Sequence, residues 1–201
     1  MQSIGNSAFQ NCATLESFDI PEGLTVISNF MLAGCTSLTQ ITIPEWVERV
    51  NLCAFAGCTS LTSVEISEGV QVIEAYCFQN TAVRELTFPS TVTKIADMTS
   101  RGSMDKLEKL NSYTLGECYA LEELVLPEGL KTVPGQFYLL NKDDHSMLRR
   151  IVWPVSLLDG SAFAKCTDLE EIAYRGSELQ WELTLSKDLF EGVNVIFDYE
   201  D

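Results

Sequence analysis

SAFQNCATLESFDIPEGL from Ser7, FMLAGCTSLTQITIPEWV from Phe30 and CAFAGCTSLTSVEISEGV from Cys53 are three copies of one phrase, each beginning 23 residues after the last. A fixed period in the twenties marks a stacked solenoid, in which no unit buries its apolar residues alone and each borrows its neighbours' faces. Working outward, further units start at Ile73, Ile95, Val133 and Leu158, after those at Ile4, Ile27 and Val50. The phrase therefore predicts about seven rungs in a single domain spanning residues 1–201.

Within each rung an apolar triplet recurs as L-x-x-[FILV]-x-[ILFWY]. It is carried by Leu15, Phe18 and Ile20; Leu38, Ile41 and Ile43; Leu61, Val64 and Ile66; Val83, Leu86 and Phe88. It continues as Leu121, Leu124 and Leu126; Leu148, Ile151 and Trp153; Leu169, Ile172 and Tyr174. The last two members alternate with polar residues, the period-2 pattern of a short strand with one face buried. Seven such strands stacked about 4.8 Å apart predict a curved parallel sheet roughly 30 Å long.

A turn written P-E-G or a relative follows the strand, as in Pro21, Glu22 and Gly23 or Pro127, Glu128 and Gly129. Proline cannot donate to the ladder and glycine tolerates positive φ, so the strand ends there. A second alternating pair, such as Leu24 with Val26 and Ile27, predicts a brief extended piece on the opposite wall. The A-F-x-x-C segment after it (Ala8, Phe9, Cys12; Ala54, Phe55, Cys58; Ala162, Phe163, Cys166) suits a tight 3₁₀ or single helical turn that drives Phe inward. Two rungs are irregular by excess, with an insertion at 96–114 and extra residues around Asn141 to Ser146; rung four is one residue short near Asn80 and Thr81.

Composition narrows the function classes. With 29 acidic residues against 13 Lys and Arg, the net charge of −16 repels nucleic acid and anionic headgroups, whose binding needs basic side chains. No stretch reaches the roughly 18 apolar residues of a membrane span, so no membrane insertion is expected of this chain. Met1 to Gln10 lacks the order of a signal peptide, and rung one begins at Ile4 without a preceding polar cap, which suggests a segment of a longer protein.

The combined pattern A-F-x-x-C-x-x-L-x-x-[IV]-x-[IL]-P-E-G-[VL] resembles the BspA-like leucine-rich repeats, the type first described in Treponema surface proteins, from Ile4 to about Gly192. Ile172, Tyr174, Gly176, Ser177 and Trp181 are similar to that family's closing motif, and Phe190 to Asp198 resembles its closing strand, giving a cap over about 170–201. The resemblance implies an α/β leucine-rich repeat solenoid of about seven 23-residue rungs, with a parallel β-sheet on the concave face and short strands or 3₁₀ turns on the convex side. It also implies a secreted or cell-surface bacterial protein that acts in adhesion or other binding and has no catalytic activity.

Residues that look chemical are mostly accounted for by the repeat. Cys12, Cys35, Cys58, Cys118 and Cys166 share one place in their rungs, where a small buried residue is expected. Stacked about 4.8 Å apart with parallel Cβ vectors, such cysteines do not meet disulfide geometry, and free buried thiols are expected. With no C-x-x-C pair, no zinc site is expected. His145, the single histidine, falls in a polar loop with no nucleophile elbow elsewhere; no phosphate-binding glycine motif is present. Glycoside hydrolysis needs only two carboxylates, which this acidic chain has in number without a positive case for it, so the non-enzymatic reading, without metal or cofactor, is what the resemblance implies.

What remains is the outward side of the strand ladder: Ser17 and Asp19, Gln40 and Thr42, Ser63 and Glu65, Glu85 and Thr87, Glu123 and Val125, Arg150 and Val152, with Glu171 and Ala173 beyond. Solenoids bind extended partners on such concave surfaces. A protein partner for a monomeric module is the first expectation; a carbohydrate-binding or carbohydrate-active accessory, or a structural spacer, are the alternatives.

Overall fold

The computed structural model describes residues 3–97, 115–131, 133 and 147–200. Most of the 96–114 insertion, whose stretch from Met104 to Leu110 reads in the sequence as a short helix, and the loop holding His145 lie outside them.

Two walls of parallel strands enclose the core. The first is a four-stranded sheet in the order β1 (Val26–Ile27), β3 (Arg49–Val50), β5 (Val72–Glu74), β7 (Lys94–Asp97). These are the second-wall pieces expected from the alternating pairs. The concave wall holds β2 (Gln40–Ile43) paired with β4 (Ser63–Ile66), and a five-stranded sheet of β6 (Glu85–Thr87), β8 (Glu123–Val125), β9 (Arg150–Trp153), β10 (Glu171–Tyr174) and β11 (Asn194–Ile196). Every pairing is parallel, with equivalent repeat positions opposite each other, such as Leu86, Leu124, Ile151, Ile172 and Val195 along one row.

This corrects one expectation. The concave sheet is not one ladder of seven: Ser17 to Ile20 is not a strand, and the ladder divides between β4 and β6. The closing strand β11 supplies a tier at the other end.

The rungs are also coupled on the convex side, in the turns. The N–H groups of Ser7, Phe9 and Asn11 donate to the carbonyls of Asn29, Met31 and Ala33; those of Phe30, Leu32 and Gly34 to Leu52, Ala54 and Ala56; those of Cys53, Phe55 and Gly57 to Ala75, Cys77 and Gln79. Two residues in each set have left-handed backbone, seen in the columns Ser7, Phe30, Cys53 and Tyr76 and Asn11, Gly34, Gly57 and Asn80. Positive φ is costly for bulky side chains such as Phe30 and Tyr76. It is maintained where these N–H groups reach the following rung, an interaction repeated from the turns at Ser7, Phe30 and Cys53.

The core follows the repeat. Leu38, Leu61, Val83, Leu121, Leu148 and Leu169 form one buried column, while Phe55, Phe78 and Phe163 fill another from the turns. Each such side chain contributes roughly 1.5–3 kcal/mol on leaving water. Phe55 and Phe78 stack with ring centroids 5.7 Å apart. Phe9, in the first tier, is only half-buried and packs on Phe18 at 5.0 Å.

Aromatics close the last rungs. Trp153 meets Phe163, Trp181 and Phe190 at 5.8, 5.8 and 5.5 Å, and Tyr174 meets Trp181 at 5.1 Å. Trp181 is delivered by a four-residue helix, α1 (Glu178–Trp181). Ser177 caps it through a reciprocal box with Gln180, satisfying backbone donors that the helix start would otherwise leave open.

One buried charge stands out on the second wall. Glu74, at the end of β5, is fully buried and accepts from the Arg49 guanidinium at 2.8 Å and the Leu52 N–H at 3.1 Å. Replacing Arg49 by Met removes a charged partner from this buried carboxylate and is expected to cost about 3 kcal/mol, read from the denaturant midpoint. The double variant Arg49→Met/Glu74→Leu should recover most of that loss; no recovery would argue against a desolvated ion pair. Gly69 provides a second check: its φ is 119°, and an added Cβ would lie 2.1 Å from the Glu45 carbonyl oxygen. Gly69→Ala should destabilise by more than about 1 kcal/mol, whereas Gly129→Ala, with open space around it, should be near neutral.

Candidate functional site

The ladder residues on the open side of the concave wall separate into two regions. Ser17, Asp19, Gln40, Thr42, Ser63, Glu65, Glu85 and Thr87 are all exposed. They alternate with core residues, as the period-2 reading requires, and the hydroxyl of Thr42 donates to Glu65 across the β2–β4 pair at 3.1 Å. Between the first two tiers, Ser17, Asp19, Gln40 and Thr42 line a shallow cavity of about 260 Å³ with Trp46 at its edge. The Trp46 indole N–H donates to the Pro21 carbonyl at 3.1 Å, so this ring packs on the neighbouring turn.

The C-terminal tiers are different. Arg150 pairs with Glu123 and, at 2.7 Å, with Glu171, forming a charged row across β8, β9 and β10. Burial alone would lower the Arg150 pKa, but its bonds to Glu171, Tyr199 and Glu123 hold the guanidinium firmly charged. After β11 the chain turns back at Asp198, where φ is 51°, and the Tyr199 N–H donates to the Tyr174 carbonyl at 3.1 Å. The Tyr199 ring lies 5.0 Å from the Arg150 guanidinium carbon, in a cation–π contact.

This tail corrects the placing of Val125, Val152 and Ala173 on the open side of the strand ladder. Val152 and Ala173 are buried, with exposures of 1% and 0%, and Val125 is half-buried. Nothing in the strand pattern predicts that the last residues fold over them. Between this tail and the middle rungs lies a cavity of about 450 Å³, whose lining includes Thr87, Val125, Glu128, Arg175 and Tyr199. Arg175 donates to the Leu126 carbonyl at 3.3 Å and pairs with Glu128 at 3.1 Å.

A third cavity, of about 560 Å³, sits over the division between β4 and β6. It is lined by Thr62, Ser63, Glu65, Arg84, Glu85 and Thr87, with Val64 and Ile66 at its floor. Sequence reasoning also missed the leucines of the closing segment: Leu179, Leu183 and Leu185 are 81%, 73% and 80% exposed. They follow the repeat's end, where no periodicity assigns them a side.

The thiols are architectural. Cys35, Cys58 and Cys118 donate to the carbonyls of Phe9, Leu32 and Phe78 in the preceding rung, at 3.2, 3.2 and 2.9 Å. Cys77 does the same toward Asn51 at 3.1 Å. All seven cysteines are free, but Cys12 is exposed and Cys53 only half-buried, which corrects the expectation of uniform burial. Cys12 belongs to the first described tier, so no preceding tier covers it. Among the described residues, no three His, Cys, Asp or Glu side chains are placed to hold a metal ion.

A family model for the BspA-type leucine-rich repeat region, found in 6 copies, matches residues 1–104 and 97–195. The chain belongs to the BspA-type leucine-rich repeat family. Among solved structures, a leucine-rich repeat protein from Bacteroides ovatus is similar at a TM-score of 0.54 and 23% identity, over 85% of this chain and 52% of that one. The Treponema pallidum leucine-rich repeat protein aligns at a TM-score of 0.49 and 21% identity, over 85% of this chain and 61% of that one. The chain thus spans only part of the length of these relatives, and at such identities the likeness is one of fold. No curated protein matches it. Among the described residues no helix is long and apolar enough to cross a membrane.

Burial pushes the Cys58 thiol up to about 12, reinforced by Cys35 and opposed by backbone hydrogen bonds, and burial pushes Cys118 up to about 11. Burial raises Cys35 and Cys77 as well. Since the thiolate is the reactive form, these groups are protected twice, by protonation and by access. Iodoacetamide at pH 8 is expected to label Cys12 in the native protein and Cys35, Cys58, Cys77 and Cys118 only after denaturation. Peptide mass mapping reads the result, and native labelling of Cys58 would contradict it.

Proposed function

We propose that the chain is a non-enzymatic interaction module that docks a protein partner on its concave wall. The observation that carries this reading is the run of exposed ladder residues from Ser17 to Thr87, set on a rigid parallel scaffold. A regular array of short polar side chains presents a surface for an extended partner without the deep enclosure a small substrate needs. Family membership supports the non-catalytic role and a place on a bacterial cell surface or in secretion, with adhesion or matrix binding as its purpose. The acidic surface disfavours nucleic acid and favours partners that bring basic groups.

A carbohydrate site is the weaker reading. The groups that would serve it, beside the 450 Å³ cavity, are engaged internally. One face of Tyr199 holds Arg150, Arg175 takes Glu128, and Glu68 accepts from the N–H groups of Ser90 and Thr91.

The test is a pair of charge variants with equal change on opposite walls. Gln40→Lys, Ser63→Lys and Thr87→Lys together alter the concave face. Thr25→Lys, Gln71→Lys and Thr93→Lys alter exposed positions of the other wall. Binding to an immobilised extracellular-matrix preparation, followed by surface plasmon resonance, should fall about tenfold or more for the concave variant and little for the control. Equal effects would reject the concave wall as the docking surface.

A further inference from the structure

The concave wall has one structural fault, and its chemistry is specific. The interval between corresponding ladder residues is 23 from Leu38 to Leu61 but 22 from Leu61 to Val83, because rung four lacks one residue after Thr81. The Ala82 N–H still donates to the Leu61 carbonyl at 3.0 Å, and beyond that point β4 and β6 belong to different sheets. The rungs are rejoined past the strands, where Glu68 accepts from the N–H groups of Ser90 and Thr91 at 3.1 and 3.2 Å. Between these two closures lies a slot flanked by two strand edges that make no ladder to each other.

The slot opens onto the core. Val64 and Ile66 are half-buried there, whereas their counterparts Ile41, Ile43, Leu86 and Phe88 are buried at 3% exposure or less. Above this apolar floor the 560 Å³ cavity carries Glu65 and Glu85, which form no ion pair among the described residues, Glu65 accepting only from the Thr42 hydroxyl. Arg84, the one cation among the described residues of its lining, is committed to Glu122 by two bonds, of 3.1 and 2.5 Å. An apolar floor beneath unneutralised carboxylates complements a side chain that is aliphatic along its length and cationic at its tip. Unpaired strand edges complement an extended backbone.

We propose that this slot is the anchor of the concave face: it takes a lysine or arginine side chain from an extended segment of the partner, with the stem on Val64 and Ile66 and the charged head against Glu65 and Glu85. This rests on the reading of the concave wall as a docking surface for protein. A second copy of the chain is a poor occupant, since its net charge of −16 matches this surface in sign.

The probe is a fluorescein-labelled eight-residue peptide of alternating lysine and valine, with an alternating norleucine and serine peptide as the uncharged comparison, both read by fluorescence anisotropy. The lysine peptide should bind saturably and the norleucine peptide at least tenfold more weakly. Glu65→Gln/Glu85→Gln should weaken the lysine peptide about tenfold, while Asp19→Asn, two tiers away, should change it less than twofold. A second variant leaves every side chain in place: one serine inserted between Thr81 and Ala82 restores the 23-residue interval. It should close the ladder, slow amide exchange in β4 and β6, and abolish binding. Undiminished binding in both slot variants would overturn the anchor alone, leaving the concave wall as a docking face. An equal loss from Asp19→Asn would replace the anchor with diffuse charge attraction, and failure of the lysine peptide to bind the parent protein at all would overturn the anchor outright. The docking reading itself stands or falls on the two lysine triplets and the matrix preparation, whose outcome does not depend on this peptide.

Discussion

Among the described residues, three forward-pointing backbone hydrogen bonds from each of the first three turns hold neighbouring rungs in register. The turns at Ser7, Phe30 and Cys53 each donate to the carbonyls 22 residues ahead. Amides that leave water must find partners, and a turn cannot satisfy all of its own. The two left-handed residues within each set are the conformational cost of aiming those donors at the next rung. The repeat length therefore has a backbone cause, and the apolar columns run in line with the turns.

The concave ladder depends on that alignment rather than setting it. Where rung four loses one residue, the turns on the convex side continue to pair, from Cys53, Phe55 and Gly57 to Ala75, Cys77 and Gln79, while the strands on the other wall separate. A single deletion is thus tolerated by the stack and expressed as a local opening in the surface that meets partners. At the C-terminal end the reverse occurs: an added tail, anchored by Tyr199 on Arg150, closes the same surface over Val152 and Ala173.

The architecture was legible because its causes repeat. Period, strand alternation, the proline exit and the Phe and Cys positions each recur often enough to be read from one chain. The candidate face was legible only as far as the alternation rule reaches, so Gln40, Thr42, Ser63 and Glu65 are where it puts them. Val152 is not: it is buried, and the tail's Tyr199, far along the chain, packs on Arg150 of the same strand. The left-handed columns were half visible: Gly34 and Gly57 signal positive φ, but Phe30 and Tyr76 give no such warning. The shortened rung was visible as a count. Its consequence, an open slot, depends on which wall absorbs the missing residue, and no periodicity records that.

The hydrogen bonds between tiers run along the axis of the stack, so a pull on its two ends loads them in series and opens one plane at a time. The plane between β4 and β6 lacks a strand ladder and holds on that wall through Ala82, the Glu68 clamp and the Thr91 hydroxyl. A pull along the stack would therefore meet fewer wall hydrogen bonds at that plane than at the laddered β2–β4 plane beside it.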